Sequence, residues 1–157
     1  MAQFTVSVVE RPAIRTAGLK VRTNMANAFQ DCPKIWERDF GPRMESFPAD
    51  PQHAGQSYGV SIMLDSEAFD YWAVMPLAPG ADVPEGMDIL EIPGGLYAEC
   101  HLQSLAQLGD AYTHIYMSWA STSDKYAMNM QGASLELYTC EYLNSGKLTI
   151  YCPVVEK

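Results

Sequence analysis

Apolar and polar side chains alternate along this chain in short blocks bounded by proline or glycine, and the blocks define its elements. Residues 4–10 alternate and are rich in valine until Arg11-Pro12, and a second extended stretch occupies 14–23, which predicts a strand pair. Asp31-Cys32-Pro33 then offers a helix start, with Pro33 suited to the first helical position and Asp31 or Cys32 to the cap. Ile35, Trp36 and Phe40 make an apolar face that Met44 and Phe47 continue, but Pro42 interrupts it, so a kink or stop is expected at Gly41-Pro42. Residues 48–55 read as a loop. Strands follow over 56–64 and 69–77, joined by a polar turn at Asp65-Ser66-Glu67.

The segment 79–86 is rich in proline, glycine and acid and reads as a linker, after which the order repeats. Residues 87–92 and 95–102 predict a strand pair around Pro93-Gly94. A helix is expected over 104–120, where Leu105, Leu108, Tyr112, Ile115, Tyr116 and Trp119 share one face. A polar loop over 121–132 leads to strands at 135–142 and 147–154, turned at Asn144-Ser145-Gly146. Both halves therefore read strand, strand, helix, strand, strand. Val9-Glu10-Arg11-Pro12 recurs as Leu90-Glu91-Ile92-Pro93, and Ala73-Val74-Met75-Pro76-Leu77 as Ile150-Tyr151-Cys152-Pro153-Val154. This predicts one α+β domain over 1–157, a duplicated unit with halves at about 1–78 and 86–157, and a ligand groove at the seam.

The most telling stretch is 132–142. Read as a strand, it places Leu135, Leu137 and Thr139 on one face and Glu136, Tyr138 and Cys140 on the other. A carboxylate among apolar neighbours is costly to desolvate, so Glu136 is either paired with an internal Lys or Arg, turned to solvent, or available to a cationic or proton-donating ligand. Aromatic wall candidates are Tyr71, Trp72, Tyr97, Tyr112, Tyr116, Trp119, Tyr126 and Tyr138. Each aromatic face over a cation contributes about 0.5–2 kcal/mol. Packing of the helix stripe on the sheet is the plainer role for Tyr112, Tyr116 and Trp119. Met63, Met75, Met117, Met128 and Met130, among nine methionines, suit either core filling or an adaptable wall.

Charge narrows the partners. Ten basic against nineteen acidic side chains leave a net charge of −9 without any basic cluster, which argues against nucleic acid and anionic membrane as partners. The start, Met1 to Val6, lacks the blocks of a signal peptide and no apolar run approaches a membrane span, so a cytoplasmic location is expected. Cys32, Cys100, Cys140 and Cys152 lie far apart, which fits reduced thiols and gives no metal site. No phosphate-binding glycine loop points to a nucleotide, so no cofactor is expected. His101 and His114 lack a nucleophile motif nearby and read as structural.

Five stretches together resemble a known family. They are Trp36-Glu37-Arg38-Asp39-Phe40, the run Ile92 to His101 that contains Pro93-Gly94-Gly95, Ile115-Tyr116-Met117-Ser118-Trp119, Leu135-Glu136-Leu137-Tyr138, and the closing Ile150 to Val154. In order and spacing the chain is similar to the GyrI-like, or AraC-type effector-binding, small-molecule-binding domains, found in drug-responsive bacterial regulators and as stand-alone proteins. The resemblance implies a duplicated, curved antiparallel sheet with two helices behind it and a pocket on the concave side. It further implies that Glu136, with Tyr138 beside it, receives lipophilic cations, as in the family's multidrug-binding members. The chain departs from the family pattern at His101-Leu102-Gln103 and at Ala120-Ser121-Thr122-Ser123. No helix-turn-helix region is found, so direct transcription control is not expected.

The expectation is thus a binder of hydrophobic, cationic small molecules, with Glu136 as counter-charge and Tyr138, Tyr97, Trp72, Tyr112, Tyr116, Trp119 and Tyr126 around the ligand. Two other classes remain open. The same pocket could serve a hydrolase of reactive electrophiles, with Glu136 as general base beside Tyr138 or Tyr97. The acidic charge would also suit a protein-inhibitor module, as the family's naming member acts on a gyrase, and a homodimer or other protein partner stays open.

Overall fold

The structure is a computed structural model that describes residues 4–24 and 26–157; residues 1–3, part of the reading of a leaderless start, lie outside the described residues. Strands β1 (Val6–Arg11) and β2 (Ile14–Asn24) flank the Pro12 break. A first helical segment comprises α1 (Ala28–Lys34), a π-helical turn Ile35–Phe40 and a 3-10 stretch Gly41–Ser46. Strands β3 (Ser57–Met63), β4 (Ala68–Pro76), β5 (Asp88–Ile92) and β6 (Gly95–Leu102) follow. The second helical segment runs through 3-10 Leu105–Gln107, α2 (Leu108–Thr113), π-helical His114–Trp119 and α3 (Ala120–Thr122). The chain ends with β7 (Tyr126–Met128), β8 (Ala133–Tyr138), α4 (Cys140–Ser145) and β9 (Leu148–Glu156).

Eight strands form one antiparallel path in the order β1-β6-β9-β8-β3-β4-β2-β5, with β7 added against β9. Exchanging β1, β2, β3 and β4 for β5, β6, β8 and β9 returns the same order reversed. The centre of that exchange is the β3–β8 pair, in which Gly59 faces Glu136. Gly59 also stands to Glu136 in sequence as Pro76 stands to Pro153 in the repeated motif.

Strand alternation sends side chains into three cores. Tyr58, Val60, Trp72, Val74, Leu135 and Tyr151 pack together with Ile14, Ile92 and Tyr97 on a sheet face that includes no helical residue. On the other face, Phe69, Tyr71, Ala73 and Met75 meet Ile35 and Phe40 of the first helical segment. Ala98, Cys100, Ile150 and Cys152 meet Ala111 and Ile115 of the second. Among the described residues no helix is long and apolar enough to cross a membrane.

Several local expectations change. The first helix begins at Ala28, ahead of Asp31-Cys32-Pro33, because the Asp31 carboxylate accepts from the Thr23 hydroxyl at 2.7 Å and does not cap; Pro33 lies within α1. At Gly41 the π-helical turn gives way to 3-10 geometry, where the proline was expected to interrupt the helix. The expected strand over 135–142 stops at Tyr138. Thr139 turns out of the sheet and its hydroxyl accepts from the Glu141 amide, opening α4, and Gly146 closes that helix at φ 81°. Asn144-Ser145-Gly146 is therefore a helix end and not a hairpin turn. The loop expected over 121–132 contains β7, and the helix over 104–120 is four short segments of changing pitch.

Candidate functional site

The two helical segments pack on one face of the sheet and leave a cleft of about 1630 Å³ between them. Its floor is the central β3–β8 pair, through Ser57, Ser61, Ser134, Glu136 and Tyr138; one wall carries Cys32 and Trp36, the other Leu108, Tyr112 and Tyr116. The resemblance implied a pocket on the face away from the helices. The cleft lies instead on the helix-bearing face, because the opposite face is filled by its own core around Tyr58 and Trp72.

Glu136 is 6 % exposed at the centre of this floor. Its Oε1 accepts two hydrogen bonds, from the Tyr71 hydroxyl at 3.0 Å and the Tyr138 hydroxyl at 2.8 Å. The Trp36 indole N–H donates to the Tyr71 oxygen at 2.9 Å, so a chain of donors leads from the helix to the carboxylate. Among the described residues no donor reaches Oε2, and no Lys, Arg or His forms an ion pair with Glu136. The Tyr138 ring meets Trp36 edge-on at 5.6 Å and Tyr142 at 4.9 Å.

Burial raises the Glu136 carboxyl above its ordinary value of 4.5, against the opposing pull of the Tyr138 and Tyr71 donors. The same burial, with the negative charge of Glu136 nearby, raises Tyr71 and Tyr138, which are therefore neutral donors. It also carries the Cys32 thiol up to about 12. Tyr112 is raised likewise, and its buried hydroxyl has no hydrogen-bond partner among the described residues. Tyr116 pairs with the Ser134 hydroxyl at 3.0 Å.

Of the eight residues expected around a ligand, Glu136, Tyr138, Tyr112 and Tyr116 line the cleft, and Trp72, Tyr97, Trp119 and Tyr126 do not. Alternation explains two of these: Trp72 follows Tyr71 and points to the opposite face, where Tyr97 also packs, its hydroxyl donating to the Pro93 carbonyl. Trp119 and Tyr126 stack on each other with centroids 6.4 Å apart, beside the core under the second helical segment. Among the methionines considered, Met63 and Met130 line the cleft, Met75 is core and Met117 is 71 % exposed.

Trp36, Tyr142 and Cys32 escaped the reading of site residues, and Tyr71 entered it only as one wall candidate among many. The usable signal was Gly59, a glycine inside a strand, which marks close approach of another group. A Cβ there would meet the Tyr71 hydroxyl and come within 2.7 Å of Glu136 Oε1.

Among the described residues three acids, Glu37, Asp65 and Glu136, line the cleft, and no Lys, Arg or His does. The site is thus a large, acidic, aromatic hollow. Among the described residues, no group of three or more His, Cys, Asp or Glu is placed to hold a metal.

Residues 7–154 match the family model of the integron-associated effector binding proteins. The chain belongs to this family. Its fold, a nine-stranded antiparallel sheet with few helices, recurs in solved structures that share little sequence. SAV2435, solved bound to tetraphenylphosphonium, is 13 % identical with a TM-score of 0.72, over 98 % of this chain and 94 % of that one. An integron cassette protein from the mobile metagenome of Vibrio cholerae is 17 % identical with a TM-score of 0.64, over 97 % of both chains. A putative transcription regulation protein from Staphylococcus aureus Mu50 is 14 % identical with a TM-score of 0.67, again over 97 % of both. No curated protein matches the sequence. Membership and fold together place the chain among the GyrI-like effector-binding domains.

Proposed function

We propose that the cleft binds bulky lipophilic cations, with Glu136 as their counter-charge and Trp36, Tyr71, Tyr138 and Tyr142 as the surrounding aromatic surface. The observation that carries this reading is a buried carboxylate held by two phenols, with no basic residue among the described residues that line the cleft. A buried charge without a partner is costly, and an organic cation supplies the partner while its apolar body leaves water. The opening suits such a body. Phe29, Leu64, Leu105, Met130 and Leu143 all line the cleft and are 44–84 % exposed, an apolar rim around an acidic centre. The volume exceeds the roughly 300–1,000 Å³ of an ordinary drug-sized pocket, so a bulky ligand fits. The neighbour solved with tetraphenylphosphonium supports the ligand class. We read the floor as the seam of two duplicated halves, which places a single carboxylate where both halves meet.

The test is thermal unfolding and tryptophan fluorescence titrated with planar lipophilic cations, neutral isosteres and anions, on the native chain and on Glu136→Gln. A ligand that binds only the folded state raises its stability. Stabilisation by cations alone, lost in the variant, is the expected result. Equal response to neutral isosteres, or undiminished response in Glu136→Gln, would remove Glu136 from the role.

A further inference from the structure

One hydroxyl on the floor of this cleft is left without a partner by the protein itself. Ser57 is 7 % exposed and lines the cleft, directly opposite Tyr138 in the central strand pair. No group among the described residues hydrogen-bonds its side chain, yet its oxygen is not sealed: the buried, unpartnered side-chain atoms are Arg11 Nη1 and the Tyr112 oxygen, so Ser57 Oγ opens to the cleft. Ser134 is its counterpart, standing to Ser57 in sequence as Glu136 stands to Gly59. There the floor serine is satisfied, because Tyr116, the residue after the buried Ile115 of its π-helical turn, pairs with Ser134 at 3.0 Å. Trp36, the residue after the buried Ile35 of the other π-helical turn, sends its N–H to Tyr71 instead, and Ser57 is left without a helical partner. A polar side chain that is nine-tenths buried seldom goes without a partner unless a ligand or water completes it.

We infer that Ser57 donates to an uncharged oxygen of the ligand, so the site favours lipophilic cations that also carry a carbonyl or hydroxyl oxygen. This rests on the reading of the cleft as a cation site. Ionised Glu136 takes the charge and offers only acceptors, whereas Ser57 is a neutral donor on the same floor. The register sets the spacing between them. Gly59 lies opposite Glu136, and Ser57 is two residues along β3 on the same face, which makes Ser57 and Glu136 diagonal neighbours about 7–8 Å apart. A ligand oxygen held across one benzene ring from the cationic centre is on that scale. Water that fills the empty cleft serves the same hydroxyl, and an apolar ligand group that displaces it cannot replace its hydrogen bond.

The experiment is isothermal titration at neutral pH with two tetraphenylphosphonium derivatives, one ring carrying para-acetyl in the first and para-isopropenyl in the second, groups of like shape with and without the oxygen. On the native chain the acetyl compound is expected to bind about threefold to tenfold more tightly, the worth of a neutral hydrogen bond. In Ser57→Ala that ratio should fall below about twofold. A native ratio under about twofold, or a ratio that survives in Ser57→Ala, overturns the inference. Thermal unfolding without ligand gives a second reading. Ser57→Ala should melt at or above the native temperature, since it removes a hydroxyl that the protein does not pair, while Ser134→Ala should melt lower, since it strands the Tyr116 hydroxyl. If Ser57→Ala melts as far below native as Ser134→Ala does, Ser57 has an internal partner and the inference also fails. Failure of both compounds to bind the native chain is a different result, because it removes the cation site itself and the inference with it.

Discussion

Gly59 and Glu136 face each other across the central strand pair, and the missing Cβ of the first makes room for the carboxylate of the second. A methyl group at position 59 would lie 2.7 Å from Glu136 Oε1 and against the Tyr71 hydroxyl. Gly59→Ala must therefore push the Tyr71–Glu136 hydrogen bond apart. Overpacking of this kind costs typically about 1–3 kcal/mol. Denaturant unfolding should show that loss, and cation titration should show weakened binding. Gly109→Ala is the matched control: it sits in α2 with no atom within 4 Å of the added methyl, and it should be neutral or stabilising by up to about 1 kcal/mol. Equal effects of the two substitutions would mean that Gly59 is not needed for the arrangement.

Tyr71 and Tyr138 donate to the same oxygen but should not be equivalent. Tyr71 is 3 % exposed, and its hydroxyl also accepts the Trp36 indole N–H, so Tyr71→Phe removes one of the two donors to Glu136 and leaves the Trp36 N–H without its partner. Tyr138 is only partly buried, and its ring keeps Trp36 and Tyr142 when the hydroxyl is removed. A hydrogen bond to a charged group contributes roughly 1.5–3 kcal/mol and an orphaned buried group costs about 1–3. At neutral pH, Tyr71→Phe is expected to lose about 2–4 kcal/mol and Tyr138→Phe about 1–2, read from urea unfolding. The reverse order would show that the Trp36–Tyr71 link does not hold the carboxylate.

The thiols provide a probe that needs no ligand. Cys140 is exposed at the start of α4, whereas Cys100 and Cys152 are buried and Cys32 is pushed up to about 12 by burial and the nearby charges of Glu136 and Asp31. Only the thiolate alkylates, and at pH 8 a thiol of that kind is ionised on the order of one part in ten thousand. Iodoacetamide followed by mass spectrometry should label Cys140 first, with Cys32 at least about a hundredfold slower. Labelling of Cys32 at a comparable rate would mean that burial does not hold this thiol in its neutral form.

Most strands were legible because each carries its own period, with Pro12 and Pro93 closing β1 and β5, and the duplicated order followed from two short repeats. Glu136 and Tyr138 were legible as one face of one strand. What alternation does not reveal is which face of the sheet opens to solvent. Trp72 and Tyr97 resemble Tyr71 in composition, yet a one-residue change of phase sends the first to the opposite core, and the partner strand decides the second. The end of β8 was hidden for a related reason: Thr139 fits the alternation, and only its hydroxyl bond to the Glu141 amide converts the strand end into a helix cap. Trp36 reaches the site through tertiary packing alone, since it is the π-helical turn that directs its N–H at Tyr71.

Acidity should act on the empty protein and on its ligand in opposite directions. The folded-state carboxyl of Glu136 is raised above 4.5 by burial, so between 4.5 and its folded value the native state holds more protons than the unfolded chain. By linkage, stability then falls as pH rises through that window, and the full cost is present above it. Glu136→Gln carries no such term. The melting temperature of the native chain relative to Glu136→Gln should therefore be lowest at neutral pH and should recover on acidification toward 4.5. Cation binding needs the ionised form, so affinity should drop over the same acidic range, and within it each bound cation should expel a proton. Titrations in two buffers of different ionisation enthalpy would read that proton directly. A native chain that gains stability on Glu136 ionisation, or binding without proton release, would place a compensating positive charge beside the carboxylate and contradict the geometry described above.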